Sequence, residues 1–255
     1  MRLSIFPAIL WLFVNLLPLG AQRPEKIVSL SSTGDNLLEI FVTPDRVIAL
    51  SPSAWDKQQS TVSSEYLLQV PRPPLSVPEI LELKPDLVLV DWETPQDTLL
   101  QLRQGKIITE ILKEPLTWDD VRVITLRIAR VVKADPSKIL DIMHNGTRAL
   151  QKDYQAWSGA QARKVAIFSR KPLSKGETSF FKELLSNLAL NLVDPPTTAG
   201  SFGDAEALPQ LYLFPSVGNE ASGKFLPLPV SFLNSRGPEA IKKIRELFEI
   251  LKTNS

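Results

Sequence analysis

Residues able to do acid–base or nucleophilic chemistry are few in this sequence, and their spacing is informative. There is one histidine, His144, and no cysteine. A catalytic serine would have to recruit His144 from the middle of a helical pattern. Neither a Gly-x-Ser-x-Gly elbow nor a Gly-rich phosphate loop ending in Lys is present. Carboxylates gather in Asp91-Trp92-Glu93 and in Trp118-Asp119-Asp120. Two carboxylates held about 5–9.5 Å apart can hydrolyse a glycoside, but charged residues at strand ends and helix starts account for both groups. A metal site needs convergent ligands, and a lone His144 on a helix reads as a surface residue. The residues assign no enzymatic activity, no cofactor and no metal.

The first carboxylate group has a telling position. In "SVPEILELKPDLVLVDWET" (76–94) Pro85 disfavours helical geometry at Lys84 and ends a helix over 77–84. Residues 87–90 are four consecutive apolar side chains, which suit a strand buried on both faces of a parallel sheet. Asp91, Trp92 and Glu93 then follow the carboxyl end of that strand, where α/β proteins hold ligands.

The elements that would position these residues alternate along the chain. Strands are predicted at 26–30, 46–51, 86–91 and 106–112, and helices within 31–41, at 77–84, at 96–104 ended by Gly105, and at 117–132 capped by Thr117. In the first of these helices Thr33 or Ser32 is the expected cap. Residues 52–77 read as a long loop. The longest helical pattern, 135–157, contains Gly146, which weakens it by about 1 kcal/mol relative to Ala. Asn145-Gly146-Thr147 fits a glycosylation acceptor but falls inside that helix. Beyond it come strands at 164–169, 191–194 and 210–214, helices at 178–190, 204–208 and 237–253, and an extended segment at 225–233. Two runs of alternating strands and helices predict an α/β fold with two Rossmann-like lobes. Their sheets are expected to be mainly parallel, with one long helix joining the lobes. The expected boundaries are 24–134 for the N-terminal lobe, 135–160 for the linking helix and 161–255 for the C-terminal lobe.

Residues 1–21 form no part of that fold. Arg2, an apolar run and small residues before "QRPEK" describe a secretory signal peptide cleaved after Ala21, with a retained membrane anchor as the rival reading. Pro7, Asn15 and Pro18 make the run a poor spanning helix. Removal takes Arg2 alone from the 29 basic residues and balances the charges. Interspersed charges of near-zero sum argue against nucleic acid as a partner. Without cysteine an exported chain forms no disulfides and carries no lipid of the usual bacterial kind, so a soluble periplasmic monomer is expected.

"KIVSLSSTGDNLLEI" (26–40), "RVIALS" (46–51), "PEILELKPDLV" (78–88), "GETSFFKELLSNLALNLV" (176–193) and "RGPEAIKKIRELFEIL" (236–251) together resemble a known family. It is the periplasmic substrate-binding proteins of ABC importers for cobalamin, ferric siderophores and haem, whose lobes are bridged by one long helix. The resemblance is strong in the first lobe and loose in the second. It implies a solute receptor that hands a bulky iron chelate or tetrapyrrole to a permease dimer. It places ligand contacts at Trp55, Asp91, Trp92, Arg170 and Lys171. Trp55 and Trp92 read equally as half-buried packing residues, and Arg170-Lys171 as a solvated pair. The family docks on its permease through one acid per lobe; Glu79 and Glu206 are the nearest counterparts, with Pro78 at the position the first acid usually holds. Lobe 2 lacks several residues usual in the family, so an altered or lost ligand site stays open. The alternative is an exported interaction or sensory module that keeps the fold without import.

Overall fold

The computed structural model describes residues 23–56, 60–71, 76–158, 163–168, 175–186, 190–192, 210–213, 224–227 and 237–253. Residues 1–22, with the expected signal peptide, and Arg170, Lys171 and Glu206 lie outside them.

The first sheet is built as the apolar run predicts. Strands β1 (Ile27–Ser29), β2 (Val47–Ala49), β3 (Leu87–Asp91) and β4 (Thr109–Leu112) stand in the order β2-β1-β3-β4, all parallel. Leu87, Val88, Leu89 and Val90 are all fully buried. The alternation of side chains sends Leu87 and Leu89 to one face and Val88 and Val90 to the other. The first face packs on α1 (Ser32–Phe41) through Leu37 and Leu38. The second packs with Ile80 of α3 (Val77–Leu83) and Leu102 of α4 (Gln96–Gln104). Each such side chain contributes about 1.5–3 kcal/mol on burial. Next in the chain, α5 (Trp118–Val132) adds Ile124, Ile128 and Val132 to the α1 face.

The connection 52–77 is not structureless. It carries a 3-10 turn (Pro52–Trp55) and a short helix, α2 (Ser64–Leu67). Tyr66 donates to the carbonyls of Val42 at 2.9 Å and Leu38 at 3.3 Å, satisfying the end of α1. Ala54, Val62 and Val70 join the same apolar cluster. Spaced single apolar residues among Ser and Gln hid this packing from a periodicity reading.

Helix α6 (Ser137–Ser158) follows, then β5 (Arg163–Phe168), α7 (Lys175–Ser186), β6 (Leu190–Leu192), β7 (Gln210–Leu213), β8 (Lys224–Pro227) and α8 (Ala240–Thr253). The second sheet has the order β6-β5-β7-β8. β5 and β6 pair in parallel; β7 pairs antiparallel with both β5 and β8, so that β8 again runs in the direction of β5 and β6. The α/β class holds, and the described strands run mainly in one direction, with β7 reversed because strand direction is set by connections and not by composition. Its cluster takes Met143, Leu150 and Tyr154 of α6, Phe180, Phe181, Leu184 and Leu185 of α7, and Ile241, Ile244, Leu247 and Phe248 of α8.

One helix cap differs from the sequence expectation. Ser31, not Ser32 or Thr33, caps α1, its side chain accepting from the Gly34 N–H at 3.0 Å. Helix α4 ends at Gly105 as expected; Gly105 keeps helical dihedrals, and the residue after it, Lys106, is the left-handed one (φ 58°). A Cβ on Gly105 would lie 2.5 Å from Leu81 Cδ2, so that glycine serves the contact of α3 with α4.

Candidate functional site

In the order β2-β1-β3-β4 the chain steps from β1 to β2 on one side and later to β3 on the other. The topological switch point, where open α/β sheets hold ligands, therefore lies between the carboxyl ends of β1 and β3. Ser31 follows β1 there and Asp91 closes β3. Ser31 Oγ donates to Asp91 Oδ1 at 2.5 Å, bridging the two strand ends. Ser29 Oγ accepts from the Ser31 N–H at 3.2 Å and donates to the Ser31 carbonyl at 2.9 Å.

Behind this bridge lies Asp35, in the first turn of α1 and 1% exposed. Its Oδ2 accepts from Ser51 Oγ at 2.5 Å and its Oδ1 from the Ser51 N–H at 3.1 Å, which ties α1 to the end of β2. Ser53 Oγ stands 2.7 Å from Ser51 Oγ and extends the hydroxyl chain outward. Burial pushes the Asp35 carboxyl up to about 7; hydrogen bonds from Ser51 and Ser29 oppose the rise and the Asp91 charge adds to it. A Cβ on Gly34 would meet Ser29 Oγ at 2.7 Å and Leu89 Cβ at 3.3 Å, so glycine lets α1 sit directly on the strand ends.

Trp55, after β2, and Trp92, after β3, are both half-buried on the same end of the sheet, and Trp55 packs against the α1-side cluster. Of the expected ligand contacts, the fold thus gathers Trp55, Asp91 and Trp92 at the carboxyl ends of β2 and β3, the strands flanking β1. Ser31, Asp35 and Ser51 are additions. Their signal in the sequence was slight: the polar run "SLSSTGD" opens a helix whose later residues are apolar. That Thr33, Asp35 and Asn36 would all be buried was not visible there. The arrangement offers hydroxyl and carboxylate groups at the carboxyl end of a sheet whose strands β2 and β3 are each followed there by a tryptophan. It has no nucleophile–histidine pair, because His144 is exposed on α6.

Neither a family model nor a curated protein sequence matches the chain. Solved structures do. The periplasmic vitamin B12 binding protein BtuF of Vibrio cholerae aligns over 91% of this chain and 98% of its own, with a TM-score of 0.56 at 18% identity. A possible iron-binding (periplasmic solute-binding) protein from Staphylococcus epidermidis aligns over 67% of each chain, with a TM-score of 0.55 at 14% identity. The periplasmic haem binding protein HutB of Vibrio cholerae aligns over 66% of this chain and 65% of its own, with a TM-score of 0.51 at 18% identity. The fold is that of the periplasmic solute-binding proteins.

On this solute-binding fold Glu79 occupies the first turn of α3. Its Oε2 accepts from the Ser76 N–H at 3.0 Å and from Ser76 Oγ at 2.5 Å, a capping box that holds its carboxyl below the usual range. His144 borders a surface groove of about 440 Å³ with Trp118, Asp141 and Glu183. No group of three or more His, Cys, Asp or Glu able to hold a metal ion occurs among the described residues. No helix among them is long and apolar enough to cross a membrane.

Proposed function

We propose that the chain is the periplasmic solute-binding component of an ABC importer. It takes a bulky iron chelate or tetrapyrrole between two α/β lobes and delivers it to a permease dimer. The observation that carries this reading is the Ser31–Asp91 bridge at the switch point, on a fold whose solved examples include a vitamin B12 binding protein, a haem binding protein and a possible iron-binding protein. Flat ligands gain contact area from rigid aromatic faces at low entropic cost. A carboxylate and hydroxyls supply the few polar anchors that fix orientation. Arg170 and Lys171 complete the contacts from the second lobe. No chemistry is done on the ligand, and the chain works as an exported monomer. Glu79 and Glu206 are the permease-facing acids; charge pairs of this kind set orientation and encounter rate more than affinity.

One observation favours the alternative of an exported module without import: Glu79 closes its own helix cap. A single titration series separates the readings. Tryptophan emission of the purified protein is followed against cobalamin, haemin and a panel of ferric siderophores; Trp55, Trp92, Trp118 and Trp157 all lie beyond residue 21. Saturable quenching by one ligand at micromolar or lower concentration, weakened at least tenfold by Trp92→Ala, is expected. Silence toward all of them from a folded protein would transfer the assignment to the interaction module.

A further inference from the structure

Two helices from different apolar clusters meet at one buried polar point. Helix α1 belongs to the cluster of the first sheet and α8 to that of the second. Asn36 is on α1 and 4% exposed, and Glu239 immediately precedes α8. Glu239 Oε1 accepts from the Gly237 N–H at 3.1 Å. Glu239 Oε2 and Asn36 Oδ1, by contrast, are both buried without a hydrogen-bond partner. A Cβ placed on Gly237 would lie 2.3 Å from Glu239 Oε2 and 3.2 Å from Asn36 Oδ1. The two oxygens therefore border the same small space, and only glycine leaves it open.

Two acceptors facing one space need a donor between them, and the cheapest donor is a proton on one of them. The surrounding charges favour that state. From α1, the Glu39 carboxylate acts on Glu239 and disfavours its charge. From α8, Lys243 favours the charge, but its Nζ is held by Glu246 at 3.0 Å. Backbone N–H groups of Gly237 and Glu239 also favour the charge. Burial outweighs them and pushes the Glu239 carboxyl up to about 7.

The geometry points to a proton-dependent clasp: Glu239 is held as the neutral acid, and its Oε2–H donates to Asn36 Oδ1, directly or through one water, joining α1 to the start of α8. Its value in the folded chain lies above the ordinary 4.5. The stability it contributes is therefore complete below about pH 4.5 and is lost as pH rises through about 7. Above that, a charged Glu239 faces Glu39 and the clasp opens. This device does not depend on which ligand the protein binds.

Glu239→Gln tests it, because the glutamine amide keeps a donor for Asn36 Oδ1 at every pH. Unfolding of the ligand-free protein by urea is measured from pH 5 to pH 8.5 for wild type and variant. The expected result is near-equality at pH 5 and, at pH 8.5, an unfolding constant at least about tenfold smaller for Glu239→Gln. Comparison at each pH cancels the titration of Asp35, which both proteins share. Equal pH profiles, or a loss that is the same at pH 5 and 8.5, would mean an ionised Glu239 facing a rotated Asn36 amide, and the clasp would be wrong. Should the variant not fold, carbon-detected titration of the Glu239 side chain in the wild-type protein decides. A midpoint above 6 supports the clasp, and one in the ordinary carboxylate range overturns it.

Discussion

Asp35 turns both carboxylate oxygens toward Ser51 and none toward solvent. Its folded value of about 7 stands above the usual 3.8. The folded chain therefore holds this proton more tightly than the unfolded one, and stability falls as pH rises from about 4 through about 7. Asp35→Asn stays neutral and removes that part of the fall. It also replaces one acceptor by a donor opposite Ser51, which costs about 1–3 kcal/mol at all pH values. Urea midpoints at pH 5 and pH 8 should thus lie closer together in Asp35→Asn than in wild type. An unchanged gap between them would show that Asp35 is ionised across the whole range. A hydroxyl network governed by one titrating acid also means that ligand measurements at this site need a fixed pH.

At the scale of single elements the cap of α5 was legible and that of α1 was not. Thr117 caps α5 as expected and forms a capping box with Asp120, the Thr117 side chain accepting from the Asp120 N–H at 3.1 Å. The carboxyl ends of α4 and α5 fall at Gln104 and Val132, where the sequence put them, but the residues that turn the chain there were not read from it. Both α4 and α5 close in Schellman turns: Ile107 N–H reaches the Leu102 carbonyl at 3.2 Å, and Ala134 N–H reaches that of Ala129 at 2.8 Å. The left-handed position in each is a lysine, Lys106 and Lys133, where glycine is usual. A side chain in that conformation costs roughly 1–2 kcal/mol, against which glycine loses some of the gain to unfolded-state entropy. Lys106→Gly and Lys133→Gly are each expected to stabilise the protein by about 1 kcal/mol, read as a rise in urea midpoint at constant slope. No rise would mean that lysine contacts offset the strain.

Across the whole molecule, α6 is anchored by what it touches and not by its own propensity. Gly146 reads as a weak point of a 22-residue helix, yet a Cβ there would lie 2.8 Å from Ile241 Cγ2 on α8. The glycine lets the two helices approach, and Tyr154 and Phe248 pack with ring centroids 5.9 Å apart in the same cluster. An isolated helix would gain about 1 kcal/mol from Gly146→Ala. In the folded protein the added methyl group overpacks the contact, which costs about 1–3 kcal/mol. Thermal unfolding should therefore show no gain, and Gly146→Ala with Ile241→Val should recover part of the loss. A simple stabilisation by Gly146→Ala would show that α6 stands free of α8. The second sheet is joined to the first set of elements elsewhere as well. The Glu183 carboxylate of α7 accepts the Trp118 N–H at 3.0 Å, capping α5 from across the chain.

Local chemistry made the first sheet and its helices readable: four apolar residues in succession, proline breaks, and polar caps one turn from apolar stripes all act within a few residues. From these the sequence by itself determined an α/β chain with Asp91 and Trp92 at a strand's carboxyl end. Tertiary structure alone decided what those residues meet. Ser31 and Asp91 are 60 positions apart, and Ser51 reaches Asp35 across 16. Those pairings exist only because the sheet order sets β1 between β2 and β3. The reversal of β7, the use of Gly105 and Gly146 as contact points, and the buried Asn36–Glu239 space are of the same kind. Each is a long-range contact whose partner no local pattern names.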